Sequence, residues 1–289
     1  MRVVRSEVLG MCFGVRDALK AMSRVEEPEE VTIHGELVHN EVVLKDLAAR
    51  GFKTASETSR DAVPETSGVL ITAHGVSDRE RGRLVASGKR LFDTTCPLVR
   101  RAHDAALLLR DEGRHVLVIG KRGHVEVRGL VEDLPSHDVI ESDSDVETYA
   151  HRKLGVICQT TSTDRQVDRL RGLILARNPE ADIRFIDTVC LPTKEHQRAL
   201  ERLIDQVDAV VVVGGRNSNN TRALADRSRV RGRPTVHVQG PSDLDMFWFR
   251  PEWTVGLTAG TSTLDATIAS VHMALLTIAE RLEVEAVVS

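Results

Sequence analysis

The stretches Phe92-Asp-Thr-Thr-Cys96-Pro and Ile186-Asp-Thr-Val-Cys190-Leu-Pro decide how the chain is organised, because they repeat one pattern. They share aspartate, threonine and cysteine at a constant offset of 94 residues, and the same offset relates His124 to Ser218. In each copy an apolar strand leads to the cysteine, and a helical segment, a second apolar strand and a polar loop follow it. The sequence therefore predicts a repeated supersecondary unit.

A more divergent copy occupies the N-terminal part of the chain. Cys12 follows a short valine-rich strand and opens a helical segment, and the strand Val31-Thr-Ile-His34 then leads to His39. The interval from the cysteine to the polar loop is 27 residues in this copy and 28 residues in the other two. A later strand of each copy leads to a further polar residue, 62, 64 and 72 residues after its cysteine: His74, Thr160 and Ser262.

The alternation of strands and helices indicates the fold class. Apolar, β-branched runs between amphipathic helices are typical of βα units on buried parallel sheets. Polar residues just past such strands lie at their carboxyl ends, where open α/β sheets bind ligands. The repeat could record only the duplication of a scaffold, but the polar positions recur while surface residues do not. We therefore expect an α/β fold of three pseudo-symmetric repeats that share one site.

Composition and charge narrow the functional classes. The chain has 289 residues, a net charge of −4 and a pI near 6.3, which gives no electrostatic reason to expect nucleic acid or an anionic membrane as a partner. The first residues lack the apolar region of a secretory signal, and the apolar run from Ala209 to Val213 is too short to cross a bilayer. We therefore expect a cytoplasmic protein whose cysteines stay reduced.

Three of the four cysteines occupy equivalent repeat positions, which predicts a shared metal centre. Cys12, Cys96 and Cys190 are 84 and 94 residues apart and do not form the closely spaced pairs of a compact zinc site. Thiolates select iron–sulfur clusters, zinc or copper. Cys158 lies inside an apolar strand and is better explained as a core residue. A 4Fe–4S cluster on three cysteines would leave one open iron for a substrate oxygen, while a zinc site on the same cysteines stays an alternative.

The polar residues of the repeats suggest the ligand. They are rich in hydrogen-bond donors and include no repeated carboxylate, which suits a phosphate or diphosphate. Glu126, two residues after His124, is a candidate proton donor for C–O cleavage, although a lone glutamate in a loop can also be a surface charge. The candidate anion-binding residues are His39, His74, His124, Ser218, Asn220 and Ser262.

Together these residues resemble the 4-hydroxy-3-methylbut-2-enyl diphosphate reductase family, iron–sulfur enzymes of the methylerythritol phosphate route to isoprenoids. The resemblance covers nearly the whole chain. Each motif alone is a weak signal, but together the motifs are specific to this family. The matching segments are Cys12-Phe-Gly-Val, Glu36-Leu-Val-His39-Asn40, Ala73-His74-Gly-Val-Ser77, Asp93-Thr-Thr-Cys96-Pro-Leu-Val, Gly123-His124-Val-Glu126-Val, Gln159-Thr160-Thr161, Asp187-Thr-Val-Cys190, Asn217-Ser218-Asn-Asn220 and Thr258-Ala-Gly-Thr-Ser262.

The resemblance implies a trefoil of three α/β domains around the cluster: residues 13–96, residues 97–190, and residues 191–289 completed by the N-terminal strand in residues 1–12. It implies reductive removal of an allylic hydroxyl, with isopentenyl and dimethylallyl diphosphate as products and a ferredoxin or flavodoxin as electron donor. Thr160 would orient the hydroxyl and Glu126 would deliver a proton. The diphosphate would be held by His39, His74, His124, Ser218, Asn220 and Ser262. Thr160 and Asn219 would also bind substrate, and His124 would join Glu126 and Thr160 as a catalytic residue.

The chain departs from the family pattern mainly beyond the residues expected to touch substrate. Val125 replaces a proline, and Asn219 stands where a second serine is common. The other departures are Leu191-Pro192, Glu195-His196-Gln197, Thr221-Arg222 and Thr263-Leu264. Because of these departures, the chain could also be a diverged paralogue that reduces another allylic diphosphate or alcohol. A non-catalytic iron–sulfur sensor is a further alternative, but a sensor needs neither Glu126 nor Thr160.

Overall fold

The described part of the chain forms three parallel four-stranded sheets, all with the same strand order. The computed structural model describes residues 1–56 and 62–288. In each sheet the first strand lies between the second and the third, and the fourth pairs with the third at an edge. One sheet contains β2 Val31–His34, β3 Lys53–Ala55, β4 Gly68–Ile71 and β5 Arg90–Asp93. The next contains β6 His115–Ile119, β7 His137–Ile140, β8 Lys153–Cys158 and β9 Asp182–Phe185. The remaining sheet contains β10 Ala209–Val213, β11 Thr235–Val238, β12 Thr254–Ala259 and β1 Arg2–Arg5.

The N-terminal strand supplies the fourth strand of the last of these sheets. β1 pairs in parallel with β12, with Arg2 opposite Thr254 and Arg5 opposite Leu257. It occupies the place that β5 and β9 hold in the other two sheets. The predicted α/β class and the threefold repetition of its sheets are therefore confirmed.

The central strands are buried on both faces, which explains their continuous apolar sequences. In β6, Leu117 and Ile119 pack into one hydrophobic cluster while Val116 and Val118 pack into another. Because successive side chains of a strand point to opposite faces, helices must cover both sides of the sheet. The valines of β10 alternate between two clusters in the same way.

Helices follow the strands, and side-chain caps begin several of them. Ser77, Thr163 and Ser218 each accept a hydrogen bond from a backbone N–H in the first turn of the helix that follows. Within the described residues no helix is both long and apolar enough to span a membrane. The helices are α1 Phe13–Met22, α2 Glu41–Ala49, α3 Asp78–Ala86, α4 Pro97–Asp111, α5 Val125–Val131, α6 Asp164–Arg177, α7 Leu191–Ile204, α8 Asn219–Val230 and α9 Asp265–Val288.

The chain divides into two compact units. Unit 1 comprises Met1–Cys12, His39–Glu41 and Leu191–Ser289, and it contains the sheet that β1 completes. Unit 2 comprises Phe13–Val38 and Val42–Cys190, and it contains the other two sheets.

Candidate active site

The three predicted metal ligands occupy equivalent places in the fold. Each cysteine lies between the fourth strand of a sheet and the helix that follows it, and each is partly exposed. The backbone N–H of each cysteine donates to a carbonyl in the loop after the third strand of the sheet whose fourth strand precedes that cysteine. The pairs are Cys12 N to Thr261 O (3.0 Å), Cys96 N to Ala73 O (3.1 Å) and Cys190 N to Thr160 O (3.0 Å). One hydrogen bond thus fixes each cysteine to the loop that carries a predicted polar residue.

The surroundings of Cys96 suit a thiolate, whereas those of Cys158 suit a core residue. Cys96 is the N-cap of α4, and helix N-termini stabilise thiolates. A Cβ atom on Gly14 would lie 2.6 Å from Cys96 Sγ, so glycine at this position leaves space for the sulfur. Cys158, by contrast, is fully buried in β8 and packs in the cluster of Leu117 and Ile119.

The predicted residues are divided between the two units. Unit 2 holds Cys96, Cys190, His74, His124, Glu126 and Thr160. Unit 1 holds Cys12, His39, Ser218, Asn219, Asn220 and Ser262.

Glu126 and Thr160 are in direct contact in unit 2. Glu126 lies in the first turn of α5, just after β6, and Thr160 follows the neighbouring strand β8. Glu126 is 2% exposed, and its Oε1 accepts a hydrogen bond of 2.6 Å from Thr160 N while its Oε2 accepts one of 2.9 Å from Thr160 Oγ1. Parallel neighbouring strands bring their carboxyl ends to one sheet edge, which explains why residues 34 apart meet.

Two predicted histidines lie together in the same unit. His124 is the N-cap of α5, and its Nδ1 accepts a hydrogen bond of 3.1 Å from Glu126 N. A neutral imidazole that accepts at Nδ1 carries its proton at Nε2, so Nε2–H is a hydrogen-bond donor. The ring of His74 meets that of His124 edge to face, with 5.7 Å between the ring centroids.

In unit 1 the start of α8 presents an unusual buried amide. Ser218 caps the helix by accepting a hydrogen bond of 3.3 Å from Thr221 N. Asn220, in the first turn, is only 2% exposed, and within the described part of the chain neither Oδ1 nor Nδ2 has a hydrogen-bond partner. Leaving a buried polar group unsatisfied costs about 1–3 kcal/mol, so such groups mark places where a ligand can complete the hydrogen bonding.

His39 and Ser262 lie beside each other in unit 1, and a residue outside the predicted set helps to hold them. Ser262 Oγ donates to His39 O at 3.4 Å, and Asn40 Nδ2 donates to Ser262 O at 2.6 Å. A Cβ atom on Gly215 would lie 2.3 Å from His39 O, so this close approach requires glycine. Sequence reasoning missed Asn40 as a positioning residue, although it directly follows His39 in the polar loop.

His196, one of the departures from the family pattern, anchors the segment before Cys12. It is buried, with Nδ1 2.8 Å from Pro192 O and Nε2 3.1 Å from Gly10 O. Burial lowers the pKa of His196, and hydrogen bonds to the two carbonyls oppose that effect. His196 therefore makes a buried polar contact to the N-terminal segment in unit 1.

The described residues form an α/β protein with three sheets of the same topology. After the fourth strand of each sheet, a cysteine stands at the start of the next helix. The family model described as LytB protein matches residues 3–276. The chain therefore belongs to the LytB protein family.

Curated relatives and solved structures agree with this assignment. Proteins from Dictyoglomus turgidum and Shewanella oneidensis, both named 4-hydroxy-3-methylbut-2-enyl diphosphate reductase, are 32% and 33% identical to the chain. The alignments cover 91% and 96% of this chain and 92% and 90% of those proteins. The structure of the E-1-hydroxy-2-methyl-but-2-enyl-4-diphosphate reductase from Plasmodium falciparum is similar with a TM-score of 0.87 and 25% identity, covering 96% of this chain and 88% of that one.

Proposed function

We propose that the protein removes the allylic hydroxyl of 4-hydroxy-3-methylbut-2-enyl diphosphate reductively and releases isopentenyl and dimethylallyl diphosphate. The reaction consumes two electrons and two protons and forms one water. The names of the relatives support the substrate, and their alignments cover about nine tenths or more of both chains.

The proposed cofactor is one 4Fe–4S cluster held by Cys12, Cys96 and Cys190. The donor chemistry fits, because all three are partly exposed thiols at helix starts with equivalent backbone tethers. When bound, the cluster would supply single electrons and one iron without a cysteine ligand. The burial of Cys158 in an apolar core argues against a fourth cysteine ligand.

The observation that carries the proposal is the buried pair of Glu126 and Thr160. A carboxyl that is 2% exposed is costly unless it is hydrogen-bonded, and both of its oxygens here are engaged by one threonine. In the proposed reaction Thr160 orients the substrate hydroxyl, and Glu126 releases a proton to the departing oxygen through that contact. An iron–sulfur sensor would need neither group.

The diphosphate is the proposed ligand of the remaining polar residues. Nε2–H of His124, the N-terminus of α8 and the buried amide of Asn220 are the kinds of donor that bind phosphate oxygens. The full proposed set is His39, His74, His124, Ser218, Asn219, Asn220 and Ser262. A cytoplasmic ferredoxin or flavodoxin is the proposed electron donor.

Anaerobic turnover by the reconstituted full-length protein tests the proposal. With a chemical reductant the diphosphate should be converted, whereas the unphosphorylated alcohol should bind and react poorly, since each lost charge-assisted hydrogen bond costs ~1.5–3 kcal/mol. Glu126→Gln should lose about 10²–10⁴-fold in kcat with unchanged iron content, because the amide cannot release a carboxylic proton. Glu147→Gln, at an exposed position of the same unit, is the matched control.

Two outcomes would contradict the proposal. A colourless protein with stoichiometric zinc would remove the cluster. A fully loaded cluster that turns over another allylic alcohol but not the diphosphate would identify a paralogue with a different substrate.

A further inference from the structure

Each turnover requires that Glu126 be reprotonated. Because Glu126 is buried, bulk water cannot deliver that proton directly. The carboxyl is 2% exposed, and both oxygens accept hydrogen bonds from Thr160. Under the proposed function, the formation of each product molecule consumes two protons. A proton lost from Glu126 must therefore be replaced from solvent by way of other groups.

A cavity in unit 2 links Glu126 to ionisable groups nearer the surface. Its volume is about 20 Å³, which exceeds the ~10–15 Å³ that a water molecule needs. Its lining includes Glu126 together with five other polar or ionisable side chains: His74, Asp78, Arg81, Arg100 and His103. Arg100 is half exposed and Asp78 is exposed, so this part of the wall borders solvent.

His103 is held on this wall by an anionic partner. Its Nε2 lies 2.8 Å from Asp133 Oδ2, and the same carboxylate accepts backbone N–H groups from Asp78 (2.7 Å) and Arg79 (3.1 Å). Burial disfavours the charge on Asp133, but these hydrogen bonds outweigh burial and hold the pKa of Asp133 below its usual range. An ionised Asp133 only accepts hydrogen bonds, so Nε2 of His103 carries a proton and Nδ1 is the nitrogen that can gain and lose one.

We propose that His103, oriented by Asp133, is a proton-relay residue that reprotonates Glu126 through the cavity that both residues line. The step moves one proton: His103 Nδ1–H⁺ gives it to a cavity water, and that water passes a proton to the Glu126 carboxylate. Neutral His103 then takes a proton from solvent. The charged groups that line the cavity beside Glu126 and His103 are Asp78, Arg81 and Arg100, and Asp133 contacts His103. The inference rests on the proton-donor role of Glu126 in the proposed function.

His103→Gln in the cluster-loaded full-length enzyme tests the relay. Its amide can still donate to Asp133 but cannot carry a proton. We expect kcat to fall about 10-fold, below the ~10²–10⁴-fold span typical of a general acid itself, because water can still deliver some protons. Iron content and KM should stay unchanged, the solvent deuterium isotope effect on kcat should rise, and added imidazole should restore part of the rate. His151→Gln, at an exposed histidine of the same unit, is the control.

The possible results separate this inference from the proposed function. Normal kcat, pH profile and isotope effect in His103→Gln, beside an impaired Glu126→Gln, would overturn the relay alone. A loss in His103→Gln without an isotope effect or imidazole rescue would also overturn it, because it would indicate a structural role. Normal turnover in Glu126→Gln would overturn both proposals. If His103→Gln does not fold, Asp133→Asn decides, since it removes the charge that orients His103 and should lower kcat in the same way.

Discussion

Asn220 is expected to lower the stability of the ligand-free protein and to favour binding of the diphosphate. Its amide is buried, and within the described residues it has no hydrogen-bond partner, which destabilises the protein without ligand. Its Nδ2 group can donate a hydrogen bond to a phosphate oxygen. Replacing such a group with an apolar one of similar size is often neutral or stabilising.

Asn220→Leu should therefore raise or preserve the free energy of unfolding while weakening diphosphate binding. Loss of one hydrogen bond to a charged ligand predicts an increase in Kd of about 10-fold or more. Calorimetric titration with the substrate and thermal unfolding of the ligand-free protein measure the two effects. Wild-type affinity in this variant would mean that Asn220 does not contact the ligand.

The cysteines can be separated by single substitutions. Serine at position 12, 96 or 190 should abolish or greatly reduce cluster content, because a hydroxyl is a poor ligand for iron in such clusters. Cys158→Ser should keep full iron content and lose ~1–3 kcal/mol of stability, since it buries a hydroxyl in an apolar cluster. Iron and sulfide analysis beside the visible spectrum distinguishes these outcomes, and iron loss in Cys158→Ser would refute the ligand assignment.

At the scale of elements, the N-terminus of α8 has both a structural and a proposed binding role. Ser218 caps the helix, and loss of such a cap costs ~1 kcal/mol. The matched comparison is Thr163, which caps α6 in the same way. Thr163 is not among the proposed ligand residues.

Ser218→Ala and Thr163→Ala should lose similar stability but differ in substrate binding. Both remove a side-chain acceptor from a helix N-terminus, so each should lower the free energy of unfolding by about 1 kcal/mol. Only Ser218→Ala should also raise Kd for the diphosphate. Equal affinities in the two variants would show that the Ser218 hydroxyl contributes to the helix alone.

The strands and the repeated polar loops could be predicted from the sequence, because burial on both faces gives a strong apolar signal. The run from His115 to Gly120 contains β6, and Glu126 follows it as expected. That Glu126 contacts Thr160 could not be predicted, since it depends on β6 and β8 being neighbours in the sheet. The roles assigned to these side chains stay predictions.

The pair of His103 and Asp133 shows why other contacts escape sequence reasoning. His103 lies within α4 and Asp133 follows α5, and no motif connects them. They meet because small residues such as Ala102 and Ala106 let α4 pack against Val127 and Leu130 of α5. Contacts of this kind depend on packing between helices, which periodicity alone does not determine.

At the scale of the whole molecule, the three repeats share one topology, while the chain clusters into two compact units. The fourth strand of the third sheet comes from the opposite end of the chain, which makes unit 1 discontinuous in sequence. The domain boundaries at residues 13–96, 97–190 and 191–289 with 1–12 stay a prediction.

Buried histidines in both units give the molecule a stability that should depend on pH. Burial lowers the pKa of His115, and nearby His151 and His137 act in the same direction, against the hydrogen bond to Asp138. Burial likewise lowers the pKa of His196 and of His237, with carbonyl hydrogen bonds opposing it. In the unfolded chain these groups regain a pKa near 6.5.

The direction of the effect follows from proton linkage. Between the folded and unfolded pKa values the unfolded state binds more protons, so stability falls as pH drops below about 6.5. The carboxylates of Asp93 and Asp133, whose pKa values lie below the usual 3.8, lose their contribution only at more acidic pH and do not confound this window. The midpoint of thermal unfolding should therefore fall steadily from pH 7 to pH 5.

His115→Gln should reduce that slope by up to one proton, because its amide can still bond to Ser136 and Asp138 but does not titrate. A flat midpoint over this range, or an unchanged slope in the variant, would show that His115 does not carry this part of the pH dependence.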